Sequence, residues 1–331
     1  MNQKPIEHPS VWRGSELERR SEWLQQLTET EAKEIECLFA DAQPSLQENA
    51  PVLFTRLKKV QVSLEEGCGA TMIRGLDLAV GTLENWKWFF EQAASVIGTP
   101  LSQSVSGETI FSVRDAGFAD SDSRARGPNT RKKLSFHTDR CDVIGFLCLQ
   151  QAKSGGENQL VSSPAIFNEI LRQRPDLLEL LMQPYRYLRH TIDTANDLPY
   201  TEQPIFSFFE GNFAANFLRV LIDRADANPT LPNMTDAQKE ALDYLESVAA
   251  DPEMHFTFRQ QPGDMLFMNN WVTLHRRTAF EDHAALERRR HILRVWLSMP
   301  NSRPLDPMFA GNYGATAAGA IRGGIQAATD R

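Results

Sequence analysis

Residues 288–297 read RRRHILRVWL. Successive side chains of a strand point to opposite faces, so parity sorts this run into two sets. Arg290, Ile292, Arg294 and Trp296 share one face, and His291, Leu293, Val295 and Leu297 share the other. The second set is mostly apolar, which predicts a face packed beneath helices. The first set carries two guanidiniums on what reads as a central strand. A buried guanidinium needs an anion or bears a large desolvation cost. Two sources of that anion fit the sequence. One is a neighbouring acid such as Glu281 or Asp282. The other is a bound dicarboxylate such as 2-oxoglutarate, because guanidinium grips carboxylate bidentately.

Two stretches upstream bear on that choice. LSFHTD at 134–139 runs into RCDVIGFLCLQ, and His137 and Asp139 lie two positions apart. On extended backbone they project side by side, either as a surface pair or as two ligands aimed at one metal. The second stretch, MLFMNNWVTLHRRTAFED at 265–282, carries His275 just beyond an apolar strand. Two histidines and one carboxylate make a facial triad, which holds Fe(II) on one side and leaves positions open for co-substrate and O₂. His8, His190 and His255 stand alone and read as surface or satisfied core histidines.

The rest of the chain has the texture of a strand-built core with helices added. Short β-type runs appear at TIFSV, DVIGFLCLQ, NQLVSS, HFTFRQ and DMLFMNN, with PGD at 262–264 as a turn. Helical periodicity marks SELERRSEWLQQL, AKEIECLFADA, LENWKWFFEQAASVIG, SPAIFNEILRQ, PDLLELLM and the segment from Thr235. The pairs Thr28/Glu31 and Thr235/Gln238 have capping-box spacing. KKVQVSL alternates Val60, Val62 and Leu64 and predicts a strand, with GATMIRGL as its hairpin partner. The expected class is α+β, mainly β, as one unit over 1–331. Its N-terminal part, about 1–100, is helical, and a helical insert spans about 163–250.

A net charge of −8 argues against nucleic acid as a partner. No apolar run reaches the length of a membrane span, and the first residues hold no secretory h-region. The cysteines Cys37, Cys68, Cys141 and Cys148 are scattered without a CxxC pair, as expected of reduced thiols in a cytoplasmic protein. Sequence leaves a homo-oligomer open.

Taken in order, FHTD, the turn SGGENQL, PGD…NN…H and RRRHILRVWL resemble the taurine dioxygenase-like, clavaminate synthase-like family of Fe(II)/2-oxoglutarate-dependent oxygenases. The resemblance covers about Val60 to Pro300 and implies a double-stranded β-helix, or jelly-roll, core. It implies His137, Asp139 and His275 as the catalytic iron ligands and Arg290 as the group that binds the distal carboxylate of 2-oxoglutarate. Arg294 would face the same pocket and contact co-substrate or an anionic group of the substrate. Asn158 stands where relatives carry Thr or Ser against the co-substrate, a departure from the pattern. The implied reaction consumes O₂ and 2-oxoglutarate, releases succinate and CO₂, and oxidises a C–H bond of a small molecule, hydroxylation being the default. The carboxylate of Asp139 argues against a halogenase.

Surplus arginines point to a carboxylate-bearing substrate, an amino acid or a derivative. Gln103 and Arg294 are the candidate contacts. Arg322 in AIRGGIQ is a third, on a tail expected to fold back over the pocket. Glu108 and Arg114 read as rim residues or substrate-side polar groups, and FADSDSRARGPNT as a lid or a solvated connection. Two other classes compete: a silent jelly-roll binding protein, and a cupin-like metalloenzyme of non-oxidative chemistry.

Overall fold

The computed structural model describes residues 3–40, 44–118, 127–189 and 198–326. Its centre is a seven-stranded mixed sheet. In spatial order the strands are Leu24–Gln26, Ala70–Arg74, Met265–Asn269, Val143–Gln150, His291–Ser298 and Thr99–Leu101, and Ile110–Val113 also pairs with His291–Ser298. The first pair is parallel and the others are antiparallel. A smaller antiparallel sheet places Asn158–Ser162 between His255–Phe258 and Thr273–Arg277.

The parity of RRRHILRVWL decides how these layers stack. Leu293, Val295 and Leu297 join Val143, Leu147, Met265 and Phe267 on the outer face of the large sheet. They pack against Leu53, Leu57, Val60 and Leu64 of the helix Pro51–Glu66, and against Phe89, Phe90, Ala93 and Ile97 of the helix Leu83–Ile97. The inner face carries Ile144, Leu266, Met268 and Trp296, which cluster with Leu160 of the smaller sheet. Arg294 therefore lies between two sheets, on the side away from the helices. A bulge between His291 and Ile292 lets the chain enter the strand at an angle just after Arg290.

Close packing leaves no room at the centre of the outer face. A Cβ added at Gly145 would lie 2.7 Å from Phe267 Cε1 and 2.8 Å from Val295 Cγ1. Gly145→Ala is expected to destabilise by about 1–3 kcal/mol through overpacking. A lower urea midpoint at unchanged slope checks it.

The chain between Asn158–Ser162 and His255–Phe258 carries helices Ser163–Gln173, Pro175–Leu181, Arg219–Asp226 and Asp236–Ala250, with two β-hairpins. Ile166, Phe167, Leu178, Leu242 and Leu245 bury its own core. Both capping boxes form: Thr28 N–H donates to Glu31 Oε2, and Thr235 Oγ1 accepts from Gln238 N–H.

Three local expectations are corrected. KKVQVSL is helical, inside Pro51–Glu66. Val60 and Leu64 are a turn apart on the buried face and Val62 is exposed, so three alternating residues fit a helix stripe as well as a strand. Ala70–Arg74 is a strand, but it pairs with Leu24–Gln26 and Met265–Asn269 rather than in a hairpin. SELERRSEWLQQL divides into a short helix, Gly14–Glu18, and the strand Leu24–Gln26, whose edge pairing overrides the helical spacing.

Candidate active site

The two histidines that sequence separates are backbone neighbours. His137 N–H donates to His275 carbonyl oxygen, and His275 N–H donates back to His137, each at 3.0 Å. His275 is held in the strand Thr273–Arg277 opposite Leu160, and His137 also bridges to Leu218. The segment around His137 is an extended bridge and not a full strand, yet it keeps the alternation that sets His137 and Asp139 side by side. One donor atom from each of His137, Asp139 and His275 lies within 4.8 Å of the others.

The surroundings orient these donors. His137 Nδ1 is 2.8 Å from the Ser135 carbonyl, a contact that places the proton on Nδ1 and leaves Nε2 as the free donor. Nε2 of His275 approaches Asp139 Oδ2 at 3.2 Å and Nε2 of His137 approaches it at 3.8 Å. Oδ2 is buried and takes no aligned hydrogen bond, nor does Nδ1 of His275. Asp139 N–H donates to Asn270 Oδ1 at 3.0 Å.

Electrostatics keep His137 neutral and Asp139 ionised. Burial, with the charges of His275 and Arg294, pushes His137 down to about 4, against the opposing pull of Asp139. Burial raises the Asp139 carboxyl, but His275, Arg294 and His137 outweigh it and hold it well below the usual carboxylate range. Neutral imidazole and ionised carboxylate are the forms that bind a divalent cation. An unsatisfied buried carboxylate oxygen between two imidazoles fits Fe(II), and the three ligands leave coordination positions open.

The arginines differ in what already holds them. Arg290 is 4% exposed, and its Nε and Nη1 have no hydrogen-bond partner. Its backbone N–H donates to Asp282 Oδ1 at 2.9 Å, and its guanidinium lies 5.3 Å from the Phe280 ring centroid. A Cβ added at Gly156 would sit 3.7 Å from its Nε, which places the arginine against the SGGEN turn. Burial pushes Arg290 down to about 10, opposed by Cys148 and Asp282.

Arg294 is held. Its Nε donates to Gln103 Oε1 at 2.6 Å, its Nη1 is 3.6 Å from Asp139 Oδ1, and its guanidinium lies 5.2 Å from the Phe111 ring centroid and 5.0 Å from that of Trp296. Gln103 is thereby a support for Arg294, because its Nε2 donates to the carbonyls of Thr109 and Arg294. Asn158 Nδ2 donates to Gln260 Oε1 at 3.2 Å, and in register it lies opposite Arg277.

Arg322 is a correction. Its guanidinium is fully buried in an ion pair with Asp142, Nε to Oδ1 2.6 Å, and donates to the carbonyls of Arg303 and Ala317. Each of its three nitrogens already has a protein partner. The tail does fold back, with Gly324 N–H on the Arg140 carbonyl and Ile325 N–H on Ser102. Of the rim residues, Glu108 accepts from Ser104 Oγ, and Arg114 contacts His291 Nδ1. Most of FADSDSRARGPNT, residues 119–126, and His190 lie outside the described residues. All four cysteines are free thiols.

Sequence missed Asn270, Tyr313 and Arg277. Tyr313 Oη donates to the Asp139 carbonyl, and Arg277, pushed down to about 9 by burial and by Arg290, donates to the carbonyls of Thr130 and Lys132. The doubled asparagine at 269–270 was the only signal among these.

The family model described as "Taurine catabolism dioxygenase TauD, TfdA family" matches residues 42–296. FR-33289 synthase of Streptomyces rubellomurinus is 29% identical over 317 residues, covering 91% of this chain and 92% of that protein. Mitochondrial trimethyllysine dioxygenase of Gallus gallus is 28% identical over 193 residues, 55% of this chain and 46% of that protein. In fold, the chain is similar to asparagine oxygenase in complex with Fe(II), 2S,3S-3-hydroxyasparagine and succinate. That match has a TM-score of 0.63 at 17% identity and covers 83% of this chain and 93% of that one.

Proposed function

The chain belongs to the TauD/TfdA dioxygenase family, and from that premise we propose that His137, Asp139 and His275 hold its iron and Arg290 its co-substrate. It is a 2-oxoglutarate-dependent non-haem iron dioxygenase that uses Fe(II), 2-oxoglutarate and O₂. The bound iron and co-substrate supply the oxidising power that removes hydrogen from an unactivated C–H bond. This chain's residues hold, orient and dry the reactants. The observation that carries the proposal is a buried carboxylate between two imidazoles together with a buried guanidinium lacking an anion. Membership in a dioxygenase family sets aside a silent binding protein and a non-oxidative metalloenzyme.

The two facing sheets support a double-stranded β-helix that forms one unit with its helical N-terminal part and insert. No helix among the described residues is long and apolar enough to cross a membrane.

The substrate is a small molecule bearing a carboxylate, of the amino-acid class. Arg294 supports this: it is charged, fixed by Gln103 and walled by Phe111 and Trp296, and it lies beside Asp139. Hydroxyasparagine in the similar oxygenase is consistent with that class. Asn158 adds an amide toward the co-substrate side.

Anaerobic addition of Fe(II) and 2-oxoglutarate is expected to give a weak visible charge-transfer band, and succinate formation should rise with one member of an amino-acid panel. Arg294→Ala should then raise the KM for that amino acid about 10–100-fold, the loss of one charge-assisted pair, with the 2-oxoglutarate KM within about two-fold of the parent. The opposite split would assign Arg294 to the co-substrate.

A further inference from the structure

Behind the iron ligands lies a second polar network that the catalytic roles leave unused. It joins the metal-bearing segment Asp139–Asp142 to the last described stretch of chain. Tyr313 is buried; its Oη donates to the Asp139 carbonyl at 3.3 Å and accepts from Asn216 Nδ2 at 2.5 Å. Arg140 Nε donates to the Asn312 carbonyl, and the Arg140 carbonyl accepts from Gly324 N–H at 2.8 Å. Asp142 takes the guanidinium of Arg322 at 2.6 Å, together with Trp271 Nε1 and Met299 N–H, both at 2.8 Å. Asp142 in turn accepts from Asn270 N–H through its carbonyl, and the Asn270 side chain fixes Asp139 N–H.

All but the Asn216–Tyr313 bond fall on the backbone or side chain of 139–142, and Asp139 is the ligand they surround. A fully buried arginine is an expensive way to secure a tail that Ile325 could hold by packing. Its guanidinium instead fixes the one acid that also anchors Met299 and Trp271, so the end of the arginine strand, the asparagine pair and the metal loop share one geometry. We propose that Tyr313 and Arg322 are positioning residues: the C-terminal segment is a brace that sets the angle at which Asp139 meets the iron. The brace rests on the iron site proposed above.

Ligand groups must be held to about 0.5 Å and 10–20° for tight metal binding, and loss of an outer-shell partner typically costs about 10–100-fold in metal affinity. Tyr313→Phe removes one hydroxyl and keeps the ring packed between Trp271 and Phe309. Arg322→Lys keeps the charge near Asp142 and loses the fork to Arg303 and Ala317. Full-length protein is titrated anaerobically with Fe(II) in saturating 2-oxoglutarate, following the charge-transfer band, and the unfolding midpoint is measured without metal. Both variants are expected to weaken Fe(II) binding about 10–100-fold and to shift the band, with the metal-free midpoint within a few degrees of the parent. Unchanged Fe(II) affinity in both overturns the brace, and so does a lowered metal-free midpoint at parental affinity, which marks a purely structural role. If Arg322→Lys does not fold, Tyr313→Phe decides alone. Absence of the band in the unaltered protein would instead refute the iron site.

Discussion

Asp139→Ala is expected to leave a folded protein that shows no charge-transfer band with Fe(II) and 2-oxoglutarate and forms no succinate above background. Asp139 supplies the only negative charge among the three ligands, and the charge is present without a proton to displace, because His275, Arg294 and His137 outweigh the burial that opposes it. Two imidazoles remain in the variant, with Arg294 close by. A cation then faces a site whose nearest fixed charge is positive. The affinity loss should exceed the roughly 10–100-fold that follows from losing an outer-shell partner, since here a bond to the metal itself is gone. Asp139→Asn is the sharper variant: it keeps the shape and the approach of Asn270 to the backbone and removes only the charge. Both substitutions should abolish the band, and circular dichroism should show the same secondary structure as the parent. A band of parental intensity in Asp139→Ala would remove this residue from the metal and the facial triad with it.

The fold was most legible where one residue's neighbours are fixed by alternation alone. RRRHILRVWL gave up its two faces because strand parity is local, and the buried layer of Leu293, Val295 and Leu297 against helices follows from it. The grouping of His137, Asp139 and His275 was legible only through the ordered set FHTD, SGGENQL, PGD…NN…H and RRRHILRVWL, and one donor atom of each lies within 4.8 Å of the others. What resisted reading depends on partners far along the chain. Ala70–Arg74 is a plain strand in sequence, but nothing local says that Met265–Asn269 lies beside it. Val60, Val62 and Leu64 satisfy two periods at once, and only the packing of Leu53 and Leu57 on the same stripe selects the helix. Arg322 and Gln103 show the same limit at the site. Both are polar residues that sequence reads as binding groups. The structure finds Asp142 across 180 positions for one and Arg294 across 191 for the other. Tyr313 carried no signal, since a lone tyrosine in a Gly- and Ala-rich tail gives no hint that its hydroxyl meets the carbonyl of a metal ligand.

Arg290 yields a prediction with opposite signs in affinity and stability. Its Nε and Nη1 are buried without partners, and Asp282 reaches its backbone N–H rather than those atoms. An uncompensated guanidinium in that position favours the unfolded chain, where water solvates it. The shift supports this: burial lowers its pKa from 12.5 to about 10, so the charged form is disfavoured on folding, and that cost is fully present below pH about 10. Arg290→Met should therefore unfold at an equal or higher temperature than the parent when neither holds 2-oxoglutarate. Binding reverses the order. The distal carboxylate completes the guanidinium in the parent, whereas methionine offers it an apolar wall. Truncating one side of a buried charge pair costs about 2–5 kcal/mol, which raises the 2-oxoglutarate KM roughly 30- to 4000-fold. Added 2-oxoglutarate and metal should then raise the parent's unfolding midpoint far more than the variant's, since ligand stabilisation grows with concentration over Kd. Arg290→Lys keeps the charge and loses the fork, and should fall between the two in affinity. Thermal scans of parent and variants, with and without 2-oxoglutarate, read both signs in one experiment. A variant that is less stable than the parent without ligand and binds 2-oxoglutarate as tightly would show that Arg290 is a structural cation whose anion is already in the protein.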